Sequence, residues 1–165
     1  MGTGRDKMSE ELIQRGLDRK SPTSKIGKWD YYSIGATTLK ALKEADIIRN
    51  LDYGSLESKK VDGIIINKKD VISVIEFKQP KEFKTKVQKN KAIAQEIEVT
   101  KILGCKIIIA TDSIDTVWVN ALTNEKICDE LGNEIKTPFN PSDEHLAMLI
   151  EKINYSINEK NNKIL

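Results

Sequence analysis

The chain is poor in the residues that build metal-thiolate sites. Two cysteines, Cys105 and Cys128, and one histidine, His145, in 165 residues have neither the number nor the spacing of a zinc centre or a disulfide framework. They read as two buried thiols in a reducing compartment. No stretch approaches the roughly 18 consecutive apolar residues of a membrane span. The polar start Met1-Gly-Thr-Gly-Arg5 has no signal-peptide core, so no membrane partner and a cytoplasmic location are expected. An excess of one charge is also missing. Lys and Arg number 27 against 25 Asp and Glu, a net charge of +2, which neither demands nor excludes a polyanion and shifts attention to local clusters. No helix-turn-helix or zinc-finger pattern is present, so nothing in the chain is built to read bases.

What is present suits one soluble α/β domain with a core of its own. Residues 6–17 suggest a short polar helix, and with the punctuated stretch 21–28 they make residues 1–34 an N-terminal helical extension. Leu39, Leu42 and Ala45 share a helical face over 36–45. Ile47-Ile48 suggests a short strand before the turn-like Asp52-Tyr53-Gly54. A long crossover helix is expected over 82–103, ended by Gly104. Apolar strands follow at 106–111 and 116–121, with a hairpin or loop over 125–136. Ser142 is the expected cap of a final helix over 143–158, whose Leu146, Leu149, Ile150, Ile153 and Ile157 form one stripe. The expected core runs over 35–140, and the C-terminal helix over 141–165 leads into further domains.

The strongest hairpin signal is Val61-Asp-Gly-Ile-Ile-Ile-Asn67 followed by Val71-Ile-Ser-Val-Ile-Glu-Phe-Lys78. Alternation puts Asp62, Ile64 and Ile66 on one face of the first strand, and Ile72, Val74, Glu76 and Lys78 on one face of the second. Val61, Ile65, Ile75 and Phe77 then lie on the opposite face. A three- or five-residue loop around Lys69 sets Asp62 opposite Glu76, whereas a two-residue loop throws them onto opposite faces. In the paired register the two Cβ atoms lie about 4.5–5.5 Å apart. Carboxylates that close are hard to ionise together and call for a cation between them. Oxygen ligands favour Mg²⁺, with Mn²⁺ able to substitute, and such an ion supports phosphodiester hydrolysis. Lys78, on the same face, can orient water, move a proton or neutralise transition-state charge.

The pair Val61-Asp62-Gly-Ile-Ile-Ile and Val74-Ile-Glu76-Phe-Lys78-Gln-Pro resembles the PD-(D/E)xK nuclease superfamily. It is most similar to the nuclease domains of type I restriction subunits and of fused restriction-modification enzymes. The resemblance covers roughly residues 35–122 and implies a restriction-endonuclease-like core, α-β-β-β-α-β, with a central mixed sheet flanked by helices. It implies metal ligation by Asp62 and Glu76, with the Phe77 carbonyl as a further ligand, and catalysis by Asp62, Glu76 and Lys78. A helical acid before the sheet, for which Glu10, Glu11 and Glu44 are candidates, and a glutamine on the crossover helix, here Gln95, also belong to the pattern. Gln95 is followed four residues later by Val99 where restriction nucleases of this type often carry tyrosine.

Lys81, Lys84, Lys86, Lys89 and Lys91 fall within eleven residues after the Glu-x-Lys strand, with Glu82 the one acid among them. A basic helix start opposes the helix dipole and points to a bound anion, such as DNA phosphate. Such contacts position a backbone without specifying sequence. Trp29, Tyr31 and Tyr32 could stack on bases, and are read in preference as packing the extension onto the domain. The expected function is a Mg²⁺-dependent DNA endonuclease domain. Its expected partners are DNA, the methyltransferase, specificity or translocase parts of a larger restriction protein, and a transient second copy for double-strand cleavage. The rival readings are an inactive DNA-binding module of the same fold, a repair, RNA or structure-specific nuclease, and a protein-interaction domain.

Overall fold

The computed structural model describes residues 22–164, with side chains described through 159. The expected helix over 6–17, with Glu10 and Glu11, lies outside the described residues. Seven strands form one mixed sheet in simple chain order. They are β1 (Ser24–Ile26), β2 (Trp29–Thr38), β3 (Lys60–Asn67), β4 (Asp70–Phe77), β5 (Ile107–Thr111), β6 (Thr116–Asn120) and β7 (Glu125–Lys126). Among the described residues the α-helices are α1 (Leu39–Glu44), α2 (Lys86–Ala94), α3 (Ile97–Leu103) and α4 (Glu144–Ile164). Neighbouring strands are antiparallel except β4 and β5, which run parallel and are joined through α2 and α3. A parallel pair needs such a crossover, and helices placed there cover one face of the sheet.

Two cores result, one on each face. On the first, Ile64, Ile66, Val74 and Ile108 pack with Leu39 and Leu42 of α1 and with Ala92, Ile93 and Val99 of the crossover helices. On the second, Ile65, Ile75, Ile107, Ile109 and Trp118 meet Leu146, Ile150, Ile153 and Ile157 of α4. That i, i+4, i+7, i+11 stripe is the expected one, and each fully buried Ile or Leu contributes about 1.5–3 kcal/mol. Asp143 rather than Ser142 caps the helix, its Oδ1 accepting from the His145 N–H at 2.9 Å.

Residues 24–38 form sheet rather than a helical extension, so the domain begins well before residue 35. The hairpin joining β1 and β2 turns at Gly27-Lys28. Gly27 has φ +61, and a Cβ there would lie 2.9 Å from Ala147 Cβ, so the turn and the approach of α4 both require glycine. Trp29 and Tyr31 then face α4 while Tyr32 and Ile34 face the other core, the period-2 pattern of a strand buried on both sides. Ile47 and Ile48 are buried but belong to no strand; they plug the core beneath α1. The strand pairing with the free edge of β3 therefore precedes α1, which departs from the expected α-β-β-β-α-β order. Cys128 is exposed, and only Cys105 is buried. Burial pushes the Cys105 thiol up to about 12, so it stays a neutral apolar filler.

The β3–β4 hairpin resolves its register by an unexpected route. Asn67 pairs with Asp70 and Ile66 with Val71, so the loop is the two-residue Lys68-Lys69. That loop alone would put Asp62 and Glu76 on opposite faces. The register shifts between Ile65 and Ile66, where Ile65 pairs with Ser73, leaving Ile72 as an extra residue. This bulge restores the pairing Ile64↔Val74 and Gly63↔Ile75, and one residue further it sets Asp62 across from Glu76. It also turns Ile72 towards the α4 side, against the expected alternation, while Val61 packs with the α1 side.

Lys68 and Lys69 both hold positive φ, +54° and +91°, as a two-residue hairpin turn with right-handed twist demands. Left-handed backbone costs a lysine roughly 1–2 kcal/mol. Replacing Lys68 by Asn, which tolerates that region, should raise stability by about 0.5–1 kcal/mol. Lys69→Gly should yield less, because it also removes the 2.6 Å ion pair to Asp46, worth a few tenths to about 1 kcal/mol at the surface. Urea midpoints of the two variants test this ranking; a destabilised Lys68→Asn contradicts it.

Candidate active site

Asp62 is fixed from two sides by backbone. Its Oδ1 accepts from the Ala36 N–H at 2.9 Å and its Oδ2 from the Phe77 N–H at 2.9 Å. The first donor is available because β2 bulges: its register with β3 shifts between Ser33 and Thr37, and Gly35 and Ala36 take φ +54° and +42°. A residue other than glycine in that region stores strain, and here the bend aims an amide at the carboxylate. The second donor comes from β4 itself. Carboxylate hydrogen bonds to backbone amides are charge-assisted and hold the side chain in one rotamer.

Glu76 and Lys78 lie at the carboxyl end of β4, where it runs parallel to β5. Lys78 is anchored by its N–H to the Thr111 carbonyl at 2.9 Å. Its Nζ lies 3.3 Å from Glu76 Oε1, and both side chains are mostly covered. Phe77 points to the other face, with its ring edge-on to Phe139 at 6.3 Å. The structure thus brings Asp62, Glu76 and Lys78 to one face, as the spacing predicts. That face carries the crossover helices, and the site opens at the carboxyl ends of the parallel pair, a common ligand position in sheets with crossovers.

A residue that the sequence reading passed over completes the cluster. The expected continuous helix over 82–103 is divided: a 3₁₀ turn at Pro80–Glu82, then α2, then α3, with Gln95 and Glu96 between the two helices. The Glu96 N–H bonds the Ile93 carbonyl in a tightened i→i−3 turn, and its own carbonyl starts α3 by accepting from Thr100. Glu96 is 3% exposed. Its carboxyl lies against that of Glu76, and its buried Oε2 accepts no hydrogen bond. Burial first, then contact with Glu76 and the charge of Glu76 and Asp62, push it up to about 9, with Lys78 acting in the opposite direction. At neutral pH Glu96 therefore keeps its proton. Its position had a sequence signal: Glu96 stands four residues after Ala92 and three before Val99, inside the buried stripe, where an acid is out of place.

Gln95, the residue drawn from the family pattern, is exposed. It lines a cleft of about 280 Å³ with Lys78, Glu82, Gln88, Lys91 and Ala92. Glu44 is exposed at the end of α1 and is not among the charges acting on Glu96. Lys81, Lys84, Lys86 and Lys91 are exposed. Gln88 gathers the loop that carries Lys81 and Lys84, accepting from the Lys84 and Thr85 N–H groups and donating to the Lys81 carbonyl. Thr85 and Gln88 form a capping box, and the first turn of α2 contains no acid. Lys89 differs from the other four. It pairs with Asp115 at 3.2 Å and lies over the Phe83 ring at 5.5 Å, so it is committed to holding α2 against the β5–β6 loop.

Among the described residues no three His, Cys, Asp or Glu side chains are already converged as ligands of one ion. Asp62 is oriented by its two amides, and Glu76 is shared between Lys78 and Glu96. Compared with known proteins, the chain matches no family model, no curated protein and no solved structure. Nor is any described helix long and apolar enough to cross a membrane.

The Glu96 shift has a measurable sign. A carboxyl raised from 4.5 to about 9 contributes stability that is fully present below its unfolded value and lost as pH rises through the folded one. Metal-free protein should lose stability between pH 5 and 9, and Glu96→Gln should remove part of that loss. At pH 9 the variant should be more stable than the unmutated protein by roughly 1–3 kcal/mol. That corresponds to a melting temperature a few degrees higher, at about 2–4 °C per kcal/mol. Equal pH dependence of the two proteins in EDTA would contradict the burial of this acid.

Proposed function

We propose that the chain is a metal-dependent endodeoxyribonuclease domain of the PD-(D/E)xK type, built on a restriction-endonuclease-like core. The observation that carries the reading is the juxtaposition of Asp62 and Glu76 on one sheet face, with the Lys78 ammonium 3.3 Å from Glu76. The donor chemistry fits a hard divalent ion: the acids are all oxygen donors, and Glu96 leaves a buried carboxyl oxygen without a partner. Asp62 and Glu76 would hold Mg²⁺ or Mn²⁺, with the Phe77 carbonyl beside them. When bound, such an ion polarises a phosphoryl oxygen and makes water a competent nucleophile near neutral pH.

The side chains divide the remaining work. Asp62, locked by two amides, presents a carboxylate that needs no reorganisation, the condition under which electrostatic stabilisation is most effective. Lys78 places a positive charge where negative charge grows on the phosphoryl oxygens, and its partly covered position strengthens that effect relative to open water. Lys91 at the cleft and the exposed Lys81, Lys84 and Lys86 that precede it would bind the DNA backbone, with Gln95 adding an amide at the rim. Phosphate contacts of this kind position the duplex and carry no sequence information, so base recognition falls to another domain or subunit. Service as the cleavage part of a restriction-modification assembly, and pairing of two copies to cut both strands, extend the same reading from the family resemblance.

Supercoiled plasmid provides the test. Mg²⁺-dependent nicking should fall by a factor of about 10² or more in Asp62→Asn and in Lys78→Ala. A combined Lys84→Ala, Lys86→Ala and Lys91→Ala variant should instead weaken DNA binding and flatten its salt dependence. Absence of nicking by the unmutated chain, or nicking that survives both single substitutions, would overturn the assignment.

A further inference from the structure

We propose that Glu96 is a third carboxylate ligand of the divalent-cation site, so that β3, β4 and the α2–α3 junction each deliver one oxygen ligand to the same ion. The inference rests on the metal-dependent reading above and specifies its ligand set. Glu96 is 97% buried by virtue of its 3% exposure, among Ala92, Ile93, Val99 and Thr100, which are also buried. It reaches Glu76 on the facing strand, and its buried Oε2 accepts no hydrogen bond. Buried carboxylates without a cation partner are among the costliest groups a core can hold. An apolar side chain of the same length would pack that stripe without the penalty.

Lys78 does not answer for Glu96. Its ammonium pairs with Glu76, and no ion pair to Glu96 is present among the described residues. Three acids therefore share one lysine at this end of the sheet. Glu76 is the member placed to be shared: the same carboxyl meets Lys78 on one side and Glu96 on the other. A divalent ion supplies the charge that is short and gives the unpartnered Glu96 oxygen a ligand role. The interruption between α2 and α3 supports the assignment. A continuous helix would need no tightened turn at this point, and the turn sits at the one acid of the buried stripe. Neighbouring Gln95, turned to the cleft, is left for contacts at the rim and not for the ion.

Mn²⁺ binding separates these roles without reference to catalysis. Titration of the full chain followed by calorimetry and by the electron paramagnetic signal of free Mn²⁺ should show one site. Glu96→Gln should weaken it at least about tenfold, whereas Glu98→Gln, at an exposed acid two residues on, should leave it within about twofold. Circular dichroism and melting curves verify that each variant is folded, and Glu96→Met, of similar volume, replaces the Gln variant should that one not fold. Mn²⁺ affinity unchanged in a folded Glu96 variant, with the unmutated chain binding, overturns the Glu96 assignment and leaves the nuclease reading intact. No Mn²⁺ binding by the unmutated chain overturns both.

Discussion

Three carboxyl groups and one ammonium meet where β3, β4 and the crossover helices come together, and much of the chain's unusual local structure serves that meeting. Like charges in a poorly hydrated pocket are unfavourable, so the fold has to hold them there by other means. Asp62 is held by an amide from a strained bulge in β2 and another from β4. Glu76 is held by Lys78. Glu96 avoids ionisation by keeping a proton. Around them the sheet is built from Ile and Val buried on both faces, and that supplies the packing energy against which this electrostatic cost is set.

The same constraint explains two irregularities that a purely structural hairpin and helix would lack. A regular two-residue turn at Lys68-Lys69 puts Asp62 and Glu76 on opposite faces, and the extra residue Ile72 reverses that. A regular crossover helix over 82–103 is broken at Gln95-Glu96, where the buried acid sits. Bulges and interrupted helices recur where a protein must aim a side chain. Both departures here lie on a path to the same carboxyl cluster, and so does the β2 bulge.

Legibility from the sequence followed the strength of the local signal. The buried strands at 107–111 and 116–120 and the stripe of the last helix were readable, because continuous β-branched runs and a 3.6-residue period leave few alternatives. The shared face of Asp62, Glu76 and Lys78 was readable too, though through the wrong loop: parity permits a two-residue turn plus a bulge as well as a three-residue turn, and a bulge leaves no residue signature. The strand over 29–38 was hidden because Gly35 and Ala36 interrupt its alternation with a bulge, so its aromatics read as extension packing. Glu96 is masked in the sequence by its neighbour Gln95, the position that the family likeness singles out. Helical spacing from Ala92 and Val99 already placed Glu96 in the core.

The carboxyl cluster is proposed to hold a divalent ion. Crystals of the chain soaked in Mn²⁺ and measured near the manganese edge test it most directly. One anomalous peak is expected in ligating contact with Asp62, Glu76 and Glu96, at the oxygen-ligand distances of a hard cation. No peak at millimolar Mn²⁺, or a peak remote from Asp62 and Glu76, would contradict it.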